Sequence, residues 1–84
     1  MTYEEMQTAA LKQPFVPFRL LISTGLTFEI HHPDLIVVDR RSILVGVITT
    51  EEGTDYDRSI RIDLLHVVAI EVLPPLFKGT NGIG

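Results

Sequence analysis

Three histidines carry the metal-ligand chemistry open to this chain of 84 residues: His31 and His32 stand before Pro33-Asp34, and His66 lies far downstream. Imidazole and carboxylate together suit zinc or iron. Adjacent residues on a strand point to opposite faces, so His31 and His32 meet on one ion only if the Pro33 corner twists them together. We therefore expect no bound metal. Asp34 is expected to accept from a nearby backbone amide in a His-Pro-Asp turn, and His66 to be satisfied by a backbone carbonyl in a turn of its own. The hydroxyl nucleophiles are Ser23, Ser42 and Ser59, none of them in a nucleophile-elbow context, and no glycine-rich loop is spaced to cradle phosphate. With no cysteine there is no thiolate ligand or thiol nucleophile either. The expected protein is not an enzyme and holds no cofactor.

Arginine offers the other chemistry. Arg40 and Arg41 fall between two apolar runs, at a hairpin tip, and with Arg58 and Arg61 they form a candidate patch for phosphate groups. A formal net charge of −4 opposes unaided attraction to a nucleic-acid backbone. Two arginines at a tip also serve simply to keep a turn and an edge in solution.

The element that positions the first of these groups is the stretch 18–30. Phe18, Leu20 and Ile22 alternate with Arg19, Leu21 and Ser23, and Leu26, Phe28 and Ile30 alternate with Thr27 and Glu29, the period of a half-buried strand. A two-residue loop at Thr24-Gly25 sets Arg19 against Ile30 and mixes polar with apolar side chains. A three-residue loop, Ser23-Thr24-Gly25, instead pairs Ile22 with Leu26, Leu20 with Phe28 and Phe18 with Ile30, so that six apolar residues share one face. It also puts Gly25 where such a loop requires a left-handed residue.

Ahead of this hairpin, Thr2 and Glu5 have capping-box spacing, and Tyr3, Met6, Ala10 and Leu11 recur on one side of a short helix that Pro14 ends. The stripe is short and the polar face is not basic, so this helix reads as a lid on a sheet rather than a partner-binding or membrane helix. The segment 14–17 then runs extended, its apolar residues closing one end. After the hairpin, His31 to Asp34 makes a corner. The runs 35–38 and 43–48 follow, with Val38 opposite Ile43 for either a two- or a four-residue loop. Both faces of this pair are apolar: Ile36, Val38, Ile43, Val45 and Val47 on one, Leu35, Val37, Leu44 and Ile48 on the other, which implies burial on both sides. An acidic connection, Thr49 to Asp57, leads to a strand with Ile60 and Ile62 inward, a single turn at Leu64-Leu65-His66, and a last strand from Val67 to Val72. Pro74-Pro75 stops the sheet.

The reading is mainly β: an N-terminal helix followed by a small, strongly bent, five- to six-stranded antiparallel barrel. Residues 1–75 form the one domain that 84 residues allow, and 76–84 a flexible tail. No apolar run is long enough for a membrane span, and with Glu4 and Glu5 where a basic leader would start, the expected location is cytoplasmic.

The order of helix, glycine-containing hairpin, apolar hairpin, acidic loop, strand, turn and strand resembles the Sm-like small barrels over most of residues 3 to 73. Ser23-Thr-Gly-Leu-Thr-Phe28 is similar to the first hairpin of that family, and the run from Arg61 to Ile70 to its closing strand, turn and strand. The likeness implies an SH3-like topology and assembly into rings through edge strands. The chain differs at His32-Pro33, where the family bends one long strand, and in lacking the family's asparagine or glutamine near the nucleotide pocket. It is also similar to short bacterial proteins with a Pro-Phe-x-Pro-Phe-Arg start, here 14–19, a likeness that implies no activity. The function expected is a non-enzymatic interaction or assembly module, a homo-oligomer or a dock for a protein partner, with the Val68, Ile70 and Val72 edge as its contact. The alternative is an Sm-like ring that binds RNA through Arg40, Arg41, Arg58 and Arg61.

Overall fold

The structure, a computed structural model, describes residues 1–47 and 58–74. The expected acidic connection, Ile48 and the expected tail lie outside the described residues.

Helix α1 spans Tyr3–Leu11. It starts where the capping box places it: Thr2 Oγ1 accepts from the Glu5 amide at 3.1 Å, and Glu5 Oε1 accepts from the Thr2 amide at 3.1 Å. This main-chain bond holds the Glu5 carboxyl below its ordinary pKa. Met6 and Ala10 are buried in the core and Tyr3 packs against it, whereas Leu11, assigned to the same stripe by spacing, is exposed. Lys12 is already extended at the helix end, two residues before Pro14.

Six strands make two three-stranded antiparallel sheets. The first has the order β2-β1-β6, from β1 (Phe18–Ile22), β2 (Thr27–Ile30) and β6 (Val67–Val72). The second has the order β3-β4-β5, from β3 (Ile36–Val38), β4 (Ser42–Val47) and β5 (Arg58–Asp63). Among the described residues these are open sheets, and the expected closed barrel is not formed by their ladders.

The first hairpin has the three-residue loop. Phe18 pairs with Ile30 and Leu20 with Phe28. The Ile22 amide donates to the Leu26 carbonyl at 2.9 Å, and Gly25 takes φ +96° as its amide bonds the Ile22 carbonyl at 2.8 Å. Phe18, Leu20, Ile22 and Ile30 are buried and Phe28 half-buried, but Leu26 is 61% exposed. It stands at the loop margin, before the ladder of β2 begins, so its place in the alternation does not bring it under cover.

Val38 pairs with Ile43, as either loop length required. Burial on both faces does not follow. Ile36, Ile43 and Val45 are buried on the inner face, while on the outer face Leu44 is half-buried and Val37 is 60% exposed. Leu35 reaches the core from a single turn of 3₁₀ helix, Pro33–Leu35, rather than from the strand. Helix α1 packs against β3.

A second 3₁₀ turn, Leu64–His66, joins β5 to β6, its start capped by Asp63 Oδ1 accepting from the Leu65 amide at 3.0 Å. Within β6 the register shifts: Leu21 faces Ala69 but Ile22 faces Val67, leaving Val68 as the extra residue of a bulge. Paired residues share a face, so Val67, Ile70 and Val72 all stand on the core side with Ile22, Leu20 and Phe18. Phe15 closes the end of this layer against Phe18, ring centroids 5.8 Å apart. No helix among the described residues is long and apolar enough to cross a membrane.

Candidate interaction surfaces

β6 ends its sheet, with β1 on one side and no strand of the described residues on the other. The Leu73 amide donates to the Pro17 carbonyl at 3.0 Å, and antiparallel alternation then aims the main-chain groups of Glu71 at β1 and those of Ile70 and Val72 outward. Val68 is 59% and Val72 66% exposed, and Ile70 is half-buried. Beside them a groove of about 450 Å³ runs between α1 and β6, floored by Ala9, Val16 and Phe18 with Glu5 and Lys12 at its rim.

The four candidate arginines divide. Arg40 and Arg41 line a cleft of about 440 Å³ with Thr2, Tyr3, Asp63 and Leu65. The Arg41 carbonyl also accepts from the Leu64 amide at 2.8 Å, which fixes this loop beside the second 3₁₀ turn. Among the described residues neither guanidinium has a carboxylate within ion-pair distance. Arg61 faces outward from mid-strand and donates to Ser42 Oγ at 3.1 Å. Arg58 pairs with Val47 at the far end of β5. It lies about 17 Å along the strand from Asp63, on the face opposite to Arg61.

The histidines also separate. His31 Nε2 lies 3.0 Å from Glu29 Oε1, and His32 caps the first 3₁₀ turn with its backbone alone. That turn is held by main-chain bonds, Leu35 amide to His32 carbonyl and Ile36 amide to Pro33 carbonyl, and among the described residues the expected bond from an amide to Asp34 is not made. His66 differs from expectation too: its Nδ1 lies 3.0 Å from Ser23 Oγ rather than against a carbonyl. No cluster of three or more His, Cys, Asp or Glu among the described residues is arranged to hold a metal.

One constellation escaped the sequence reading. Arg19, in the middle strand of its sheet, reaches both neighbours: Nε and Nη2 donate to Glu29 Oε2 at 3.3 and 2.8 Å, and Nη1 donates to Glu71 Oε1 at 2.9 Å. With His31 on the other oxygen of Glu29, the four side chains form one line across the outer face. The Arg19 guanidinium, then His31, hold the Glu29 carboxyl below its ordinary pKa, and the two glutamates raise that of Arg19. Half of this was readable in advance, because the hairpin register that aligns Phe18 with Ile30 also sets Arg19 opposite Glu29. Arg19, Glu29 and His31 form one end of an open cleft of about 470 Å³, whose other walls are the apolar stretch 15–17 and Leu73-Pro74. Compared with known proteins, the chain matches no family model, no curated protein and no solved structure.

Proposed function

We propose that the chain is a non-enzymatic assembly module that self-associates through the outer edge of β6. The observation that carries this reading is that edge itself: outward main-chain donors and acceptors at Ile70 and Val72, flanked by the exposed valines at 68 and 72. Natural edges are guarded by charge, proline or cover. Here Glu71 is drawn to Arg19 on the outer face, and Pro74 stands beyond the strand's end. Pairing with a second copy gives the outward main-chain groups of this edge strand partners that no other described strand supplies, and removes the valines from water.

The finer reading of the fold belongs to the same proposal. β6-β1-β2 passes through the His31–Leu35 corner into β3-β4-β5, and the second 3₁₀ turn returns the chain from β5 to β6. That circuit is the order of a strongly bent Sm-like small barrel, and it supports the resemblance. Gel filtration with light scattering at micromolar concentration tests the assembly. The mass should exceed the 9.4 kDa of one chain, and Val68→Lys, at an exposed bulge position, should return it to that value. A monomer at every concentration overturns the proposal.

A second reading, an RNA-binding ring, is favoured by one observation: Arg40 and Arg41 line a cleft beside Tyr3, and among the described residues neither has an ion-pair partner. It requires retention of single-stranded RNA that weakens steeply with salt and is lost in Arg40→Ala/Arg41→Ala. Assembly without any RNA retention selects the first reading.

A further inference from the structure

The edge of β6 and the groove beside it can be matched against a second copy of themselves, and one alignment suits both. Arg19 pairs with Glu71 and Leu21 with Ala69, and the Leu73 amide bonds Pro17, so Ala69, Glu71 and Leu73 spend their main-chain groups on β1. Ile70 and Val72 carry the outward groups, and an antiparallel partner forms its hydrogen bonds with these. Two identical strands related by a two-fold axis can then meet in few registers. With the axis at Glu71, two carboxylates stand directly opposite, which is destabilising. With the axis at Ala69, Val72 falls against His66, which belongs to the 3₁₀ turn rather than to the strand. An axis at Val72 sets Ile70 against Pro74, which has no amide to donate. With the axis at Ile70, that residue meets its own copy, Glu71 meets Ala69, and Val72 meets Val68.

We propose that β6 pairs antiparallel with β6 of a second copy, Ile70 on the two-fold axis, and that Val68 of each copy is seated beside Val72 at the mouth of the other's groove. This rests on the assembly reading above and names its partner and register. Residues paired across a ladder share a face, and Val72 is on the core side, where it lines the groove with Ala9 and Phe18. The second copy's Val68 therefore enters from that side. The groove supplies what so short a ladder lacks, an apolar floor and a volume of about 450 Å³. Its rim is also self-complementary: Glu5 and Lys12 are of opposite sign on one face of α1, and a two-fold reversal of that helix sets each against its counter-charge. The bulge at Val68 ends the ladder, and because each copy uses the same edge the contact stops at two copies.

The test uses the full chain, which has no cysteine of its own. Ala69→Cys and Glu71→Cys are made separately, mixed in equal amounts and oxidised mildly. Opposite residues of a non-hydrogen-bonded pair lie about 4.5 Å apart, within reach of a disulfide, and diagonal ones about 7–8 Å apart, beyond it. The mixture should therefore give a mixed 69–71 disulfide dimer, and either variant alone several-fold less. Without oxidation, Ala69→Glu makes two like-charge contacts per dimer and should raise the dissociation constant roughly tenfold, whereas Ala69→Lys should not raise it. Prevailing 69–69 or 71–71 disulfides, equal responses to Glu and Lys, or a mass above two copies overturn this pairing and leave self-association standing. A monomer in light scattering overturns both.

Discussion

Ser23 and His66 are joined twice: the Ser23 amide donates to the His66 carbonyl at 2.8 Å, and the Ser23 hydroxyl lies 3.0 Å from His66 Nδ1. The pair ties the loop of the first hairpin to the turn that launches β6, 43 residues later. Both side chains are exposed, so the ring's bond competes with water and its net worth is small, about 0.5–1 kcal/mol. His66→Ala should therefore lower stability by no more than that in urea denaturation, because the main-chain bond survives. Ser23→Pro removes the amide and should cost more than His66→Ala; equal losses would show that the main-chain link carries nothing.

Gly25 sits at φ +96° with open space where a Cβ would project. A substitution there meets no clash, and its cost comes from the backbone alone. Gly25→Val should destabilise the fold by more than ~1 kcal/mol, since a β-branched residue is strained at positive φ. Gly25→Asn should cost less, because asparagine visits that region more readily. Thermal melts ranking the two in the opposite order would contradict the observed loop.

Met6 is fully buried and is the main contribution of α1 to the core. Met6→Ala should lower stability by about 2–5 kcal/mol, a transfer loss plus a cavity that the sheet only partly fills. Alanine's better helix propensity recovers only a few tenths of that. The control is Leu11→Ala on the exposed side of the same helix, expected to fall within about 0.5 kcal/mol of the parent in the same denaturation assay.

The first hairpin was legible because two independent signals agreed: Phe18, Leu20, Phe28 and Ile30 align in one register, and that register sets Gly25 at the left-handed position. Alternation alone was less informative where every residue was apolar. Val37 and Leu44 look as buried as Ile36 and Ile43 by composition, yet one face of their sheet lies open. The bulge at Val68 left no mark either, since Val67 and Val68 are the same residue type and either could have been the paired one. Among the candidate groups, the contacts that went unread are distant in sequence: Ser23 with His66 and Arg19 with Glu71 depend on β1 lying beside β6. Arg58 and Arg61 are close along the chain, but a separation of three on a strand divides them between its faces.

The line Glu71, Arg19, Glu29, His31 predicts a pH dependence whose sign is fixed by its carboxylate. Glu29 has a folded-state pKa below its ordinary value, through Arg19 first and His31 second. The unfolded chain therefore binds the proton more readily, so this contribution is complete above about pH 5 and is lost as pH falls through the lowered folded-state value. Arg19→Met removes the main cause. Its stability should fall less steeply than that of the parent as the solution is taken from neutral pH toward pH 3, and its neutral-pH stability should be less sensitive to added salt. Glu5 titrates the same way through its bond to Thr2, on a different element, and that part of the acid dependence should persist in Arg19→Met. Equal slopes in the two proteins would mean that the ion pairs across β2, β1 and β6 do not hold in solution.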